Sequence, residues 1–384
     1  MSRGRAAVPL LLGLAALGSA AARAEEPPPR LELYTMGPGS DVFSQFGHAA
    51  VCVFDDRSPE GLCYNYGTTD FSTPLPLTWD VLRGRARFWV SVGSADRMLE
   101  HYQRDDRTVY RQILPLAPEA ARVAAERFAR DARPENRTYV YNHFADNCTT
   151  RLRDNLDAVT GGALRAGADA PYAASYRDLL RRGFSTDLLL LTAQELMIGR
   201  AVQRRPTLWE AMFLPDVLRA QVAARLDAPA EVVAERRHAI GRHGETAGIW
   251  TLLLGGLGLA ALAGTGVASG RRAPRRAALA LAGLTLGLLA LVIDALALMS
   301  QLPEMRRNEL LLVLLPTDLG LVFLGGRALR GYLGARLLLL VPVAAAAAVG
   351  WLVQPLWAPL ALVAAVTGAC LAAERRLLAS GPGR

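Results

Sequence analysis

From about Thr246 onward the chain no longer reads as the sequence of a soluble protein. Five apolar stretches follow one another, near residues 249–269, 277–300, 309–326, 335–353 and 356–373. Each is as long, or nearly as long, as the ~20 apolar residues a helix needs to cross a bilayer. Backbone in hydrocarbon must satisfy its own hydrogen bonds, so these stretches are expected to be spanning helices. Arginines set their direction. Arg271, Arg272, Arg275 and Arg276 separate the first two; Arg327, Arg330 and Arg336 separate the third and fourth; Arg375 and Arg376 follow the fifth. Arginine-rich connections stay in the cytoplasm, which puts residues 25–245 on the opposite side. Arg306 and Arg307 fall on the outer side and run against the rule. The formal net charge of +8 therefore points to membrane topology and not to nucleic acid.

The N-terminus agrees with export. Arg3 and Arg5 precede an apolar run from Ala7 to Leu17, and Ala22-Arg23-Ala24 offers an A-x-A cleavage site. That pattern is a secretory signal over residues 1–24. Three parts result: the signal, an exported domain over 25–245 and a membrane domain over 246–384. The exported part, about 220 residues, is long enough for one domain with its own core. Its cysteines lack C-x-x-C spacing, no two histidines sit at ligand spacing beside a carboxylate on a convincing helix, and no phosphate-binding glycine loop occurs. No metal or cofactor is expected.

Two segments of the exported part carry chemistry. HAAVCVF alternates like a half-buried strand, and a loop through Ser58-Pro59-Glu60-Gly61 leads to LCYNYG, another alternating run. Together they read as a β-hairpin. With Cys52 opposite Cys63, Ala50 faces Asn65, and Asn65 becomes a diagonal neighbour of His48 on one face. Export favours a Cys52–Cys63 disulfide, with two free buried thiols as the alternative. The second segment is YNHFADNCTTRLRD, Tyr141 to Asp154. Asp146 and Asn147 are both suitable N-caps, and Leu152, Leu156 and Val159 recur at helical spacing. A helix should begin close to Cys148, where unpaired N–H groups favour thiolate over thiol. A histidine, a polar neighbour and a cysteine at a helix start are the parts of a thiol-based catalytic site. His48 would take the thiol proton, Asn65 would orient the imidazole, and the N–H of Cys148 is a candidate oxyanion donor. His143, five residues before Cys148, is a candidate for the cleft. Arg151 and Arg153 are candidate phosphate contacts, or structural salt bridges. His101 reads as solvated, and His238 and His243, among arginines just outside the first span, as solvated or headgroup-facing. Asp294 and Asp318, inside apolar stretches, are expected to pair with Arg306, Arg307 or Asn308, or to bond between spans.

FSQFGHAAV, YNYGTTDF and YNHFADNCTTRLRD, followed by TLWEAMFLPDVL, resemble the Lnb-type lipoprotein N-acyltransferase family over roughly residues 31–240. The exported domain of that family resembles circularly permuted papain-like folds of the NlpC/P60 and lecithin–retinol acyltransferase group. The resemblance implies an α+β, NlpC/P60-like periplasmic domain, and the apolar stretches add an α-helical membrane domain of about five spans. Histidine precedes cysteine in that permuted order, as His48 precedes Cys148. Cys148 and His48 would be the catalytic pair, with Asn65, Tyr64 or Tyr66 as the third member facing in. Tyr64, Tyr66, His143, Arg151 and Arg153 are then the candidate substrate contacts. The implied reaction moves an acyl chain from a phospholipid, through a Cys148 thioester, to the N-terminal amine of a lipoprotein at the bacterial inner membrane. A cell-wall amidase or peptidase uses the same catalytic parts, and a non-catalytic membrane scaffold is the reading from a different class.

Overall fold

The computed structural model describes residues 26–379, so the secretory signal read at 1–24 lies outside the described residues. The exported part is built on a sheet of seven strands: β1 (Arg30–Met36), β2 (His48–Asp55), β3 (Ser58–Thr68), β4 (Arg87–Ser94), β5 (Val109–Ile113), β6 (Thr138–Val140) and β7 (Glu231–Ala234). Their order is β6-β4-β3-β2-β1-β5-β7, and every neighbouring pair is antiparallel. Around it run α1 (Pro74–Arg83), α2 (Ala95–Arg104), α3 (Pro118–Asp131), α4 (Cys148–Val159), α5 (Tyr176–Gly183), α6 (Leu188–Met197), α7 (Leu208–Ala211) and α8 (Pro215–Leu226).

The central strands are apolar on both faces because helices cover both. Leu33, Val51, Tyr64 and Tyr66 pack with Phe128 of α3 and Leu152 and Leu156 of α4. On the opposite face Tyr34, Ala50, Cys52 and Cys63 pack with Met98 and Tyr102 of α2. The β2–β3 hairpin has the expected register, with Val51 opposite Tyr64, Cys52 opposite Cys63 and Val53 opposite Leu62. Cys52 and Cys63 form a disulfide.

The membrane part holds α9 (Ala247–Ala268), α10 (Arg272–Met299), the single turn α11 (Pro303–Arg306), α12 (Gly326–Ala348) and α13 (Trp357–Ala379). Among the described residues four helices, α9, α10, α12 and α13, are long and apolar enough to cross a membrane. The expectation of five helical spans is corrected at 309–326. That stretch forms two short 3-10 turns, Glu309–Leu312 and Pro316–Val322. Pro316 supplies no N–H to a helix and its ring blocks the preceding turn, which ends any helix begun upstream. Arg327, Arg330 and Arg336 accordingly lie within α12 and not in a connection.

The broken stretch still runs from the exported-domain end of the bundle to the middle of α10. At the end nearest the exported domain, Glu309 N–H donates to Gln354 Oε1 (2.9 Å) and Gln354 N–H donates to Glu309 Oε2 (2.8 Å). Ser300, just past α10, donates to the Leu82 carbonyl of the exported domain, which fixes that end (2.7 Å). Further along, a β-carbon on Gly283 in mid-α10 would stand 2.8 Å from the Asp318 carbonyl, and one on Gly287 would strike Leu319. These glycines let backbone approach backbone, the usual device of packed spans. The far end is marked by Arg275 of α10 bonded to Glu374 of α13 (2.7 Å). Irregular backbone at such depth is tolerable because protein surrounds it. Asp318 pairs with Arg336 of α12, not with Arg306, Arg307 or Asn308. Asn308 instead donates to the carbonyls of Leu196 and Met197.

Candidate active site

Cys148 is the first residue of α4, and its neighbour Asn147 explains why the helix starts there. The Asn147 side-chain oxygen accepts from the N–H groups of Thr149 and Thr150, both at 2.9 Å. Thr150 returns the contact by accepting from the Asn147 N–H at 2.8 Å, a capping box. The Asn147 amide nitrogen also donates to the carbonyls of His143 (2.8 Å) and Phe213 (3.0 Å). One buried side chain thus ties the helix start to two separate loops. Asp146, the other expected cap, is held instead by Arg151 at 2.5 and 2.8 Å.

His48 opens β2, and Asn65 lies on β3 beside it, with His48 Nε2 3.4 Å from Asn65 Oδ1. Gly67 joins this group to the thiol. A β-carbon on Gly67 would stand 3.5 Å from the Cys148 β-carbon and 3.9 Å from His48 Cε1, and its φ of +95° favours glycine. The Tyr102 ring lies 6.1 Å from the His48 ring. Arg107 stacks on Tyr102 at 4.8 Å.

Electrostatics favour an ionised thiol. Burial by itself raises the Cys148 pKa, but the charge and hydrogen bonding of His48, with help from Thr149 and the Ala49 N–H, outweigh it. The thiol is lowered to about 7. Burial and the nearby Cys148 charge work the other way on Tyr139, which is pushed up and stays neutral. Burial also lowers His143 to about 4, leaving a neutral imidazole. That ring packs against Phe46, Phe144 and Phe213 and meets the Tyr141 hydroxyl through Nδ1 at 3.2 Å.

A cavity of about 240 Å³ runs from Cys148 and His48 to the segment just after α10. Its wall is largely apolar and includes Phe46, Phe88, Phe144, Leu180, Leu302 and Met305. His143 lines it as expected. A second cleft of about 820 Å³, more polar than the first, reaches His48 and Asn65 and includes Asp41, Ser91, Arg97 and Tyr102. His48 therefore stands between an apolar cavity and a more polar cleft.

The other expected contacts lie elsewhere. Strand alternation sends Asn65 to the His48 side and Tyr64 and Tyr66 to the opposite face, where both pack on Phe128. Tyr66 donates to Asp131 at 2.8 Å and is fully buried. Arg151 is spent on Asp146 and stacks on Tyr139 at 4.4 Å. Arg153 bonds Asp154 and the Trp209 carbonyl and lines a separate cleft. The contributions of Gly67, Tyr102 and Arg107 were not read from sequence. Only Gly67 carried a local signal, a glycine directly after the YNY run.

Fold and geometry define the class: a mixed α+β domain with a histidine at the start of the central strand β2 and a cysteine at the start of α4, followed by four helices long and apolar enough to cross a membrane. Residues 23–182 match the family model of the Lnb N-terminal periplasmic domain, so this part of the chain is similar to that domain. Neither a curated protein nor a solved structure matches the chain.

Proposed function

We propose that this chain is a thiol-dependent acyltransferase of the inner membrane that moves an acyl chain from phospholipid to the N-terminal amine of lipoproteins. The observation that carries the reading is the apolar cavity, which joins Cys148 and His48 to the first residues after α10. An acyl chain fits such a lining. A peptidoglycan stem, polar along its length, does not.

His48 takes the thiol proton, and the thiolate attacks the ester carbonyl of the phospholipid. The developing oxyanion meets the N–H of Cys148 at the start of α4. As the tetrahedral intermediate collapses, the ester C–O bond breaks, and the leaving lysophospholipid takes the proton from His48. The acyl group is now a Cys148 thioester. A neutral amine then approaches from the more polar cleft and attacks the thioester carbonyl. The C–S bond breaks, one amine proton passes by way of His48 to the leaving sulfur, and the product is an amide with the thiol restored.

Purified protein mixed with phospholipid and a diacylated lipopeptide should yield N-acylated lipopeptide and one lysophospholipid per turnover. Cys148→Ala should yield neither. Release of stem-peptide fragments from peptidoglycan without any lipid product would replace this reading with the amidase.

A further inference from the structure

Two short helices of the exported domain sit against the ends of spanning helices. The Arg83 carbonyl at the end of α1 accepts from Gln301 N–H just beyond α10 (3.0 Å), and Gly84 lies against Leu302. On α6, the Leu191 carbonyl lies where a β-carbon on Gly248, at the start of α9, would strike it. Both helices are thereby held at the level where α9 and α10 leave the hydrocarbon. Both also show water what a soluble domain would bury. Leu75 on α1 is 82% exposed and Leu189 on α6 is 76% exposed. Trp79, one turn after Leu75 on the same face of α1, is 37% exposed and carries the Arg83 guanidinium 5.8 Å from its ring centroid. A tryptophan beside an arginine is the usual composition of a membrane–water boundary.

The same edge is the mouth of the thiol cavity. Phe71 and Val42 line that cavity yet are 49% and 41% exposed. Val81 and Leu82 of α1 line the same cavity. Exposed apolar side chains that ring an opening mark an interaction surface.

We propose that Val42, Phe71, Leu75 and Trp79 form a rim that rests in the surface of the phospholipid bilayer, and that the acyl chain enters the Cys148 cavity across it. The occupant follows from continuity: α1, which carries Leu75 and Trp79, is bonded at its end to Gln301 just beyond α10, so the surface it meets is the bilayer that α10 crosses. The entry route rests on the acyltransferase reading, whereas the seating of the rim does not. Arg83, beside Trp79, would lie at the depth of the lipid phosphates.

The test uses the full chain in proteoliposomes containing brominated phospholipid, which quenches indole fluorescence only on contact. The difference between wild type and Trp79→Phe isolates the signal of Trp79, and substantial quenching of it is expected. No quenching overturns the rim, whatever the activity. The second measurement compares acylation of Cys148 by bilayer phospholipid with acylation by a monomeric water-soluble ester, p-nitrophenyl butyrate. Leu75→Asp with Trp79→Asp should slow the first at least about tenfold, the equivalent of ~1.4 kcal/mol of lost apolar burial. The second rate should be unchanged. Equal rates from the bilayer, or equal loss with both donors, overturns the entry route. Quenched Trp79 in a wild-type protein that forms no adduct from either donor would leave the rim standing and sink the acyltransferase reading instead.

Discussion

His48 Nε2 lies 3.4 Å from Asn65 Oδ1 across two neighbouring strands. An amide oxygen only accepts, so the contact requires the proton on Nε2 and leaves the Nδ1 lone pair for the thiol of Cys148. Asn65 thus selects a tautomer without exchanging a proton itself. Asn65→Ala should retain acyl transfer, with a loss smaller than the roughly 10²–10⁴-fold that removing a general base costs. His48→Ala and Cys148→Ser should abolish transfer in protein that remains folded. Rates of thioester formation in the three variants decide it. Equal losses in Asn65→Ala and His48→Ala would remove the orienting role.

The Cys148 thiol is lowered to about 7 against the burial that opposes it, and His48 supplies the largest lowering influence. Thiolate therefore accumulates as pH rises through about 7, and alkylation by iodoacetamide should reach half its limiting rate there. In His48→Ala only burial and the weaker contacts remain, so the midpoint must move upward, toward or beyond the ordinary 9.0. An unshifted midpoint in that variant would show that the helix start, not His48, ionises the thiol.

Asn147 makes four side-chain or cap bonds that position the thiol. Asn147→Ala should destabilise the exported domain by about 1–2 kcal/mol through the lost cap, and orphan the buried Phe213 carbonyl as well. Asn147→Asp keeps both accepting bonds but neither donation, so thermal unfolding should place it between wild type and alanine. Its added charge beside Cys148 should also raise the thiol pKa. An alanine variant with wild-type melting behaviour would contradict the account of why α4 starts at Cys148.

The hairpin register, the Cys52–Cys63 bond and the helix start at Cys148 were legible because each depends on neighbours in sequence: alternation, a capping residue, a short loop. Tyr102 near His48 could not be read, because α2 reaches β2 only through packing across the sheet. Tyr64 and Tyr66 remained open for a similar reason. Three adjacent residues of a strand share one local pattern, and only the helix on each face decides which side chain enters the site. The third apolar stretch has the composition of a span. Its failure to form a helix follows from Pro316 and from Asp318, whose partner in α12 lies beyond any local pattern.

That broken stretch decides the position of the C-terminus. Four helical spans alone would return the chain to the side of the exported domain. Asp318 beside Gly283 in mid-α10, with the Arg275–Glu374 contact toward the far end, predicts a fifth, non-helical crossing. Alkaline phosphatase fused after Asp227 should be active, and fused after Arg384 inactive. Activity in both fusions would mean that residues 309–325 do not cross.

Asp318 and Arg336 are both buried, at 0% and 1% side-chain exposure. Arg336 donates to Asp318 twice at 2.9 Å and to the Val313 carbonyl at 2.8 Å, and Tyr332 donates to Asp318 at 2.6 Å. The planar guanidinium thereby satisfies a carbonyl that the broken helix leaves without a partner. Removing one member strands a charge within the bundle. Asp318→Leu or Arg336→Leu alone should each cost about 3–5 kcal/mol, read as a lowered thermal midpoint in detergent. The double variant should lose less than either single one, since no unpaired charge remains, though the Val313 carbonyl still loses its donor. Arg336→Lys keeps the charge but not the fork, so it should fall between wild type and Arg336→Leu. If the two single losses simply add in the double variant, the pair is not coupled, and the third crossing must be held by its packing on Gly283 and Gly287 alone.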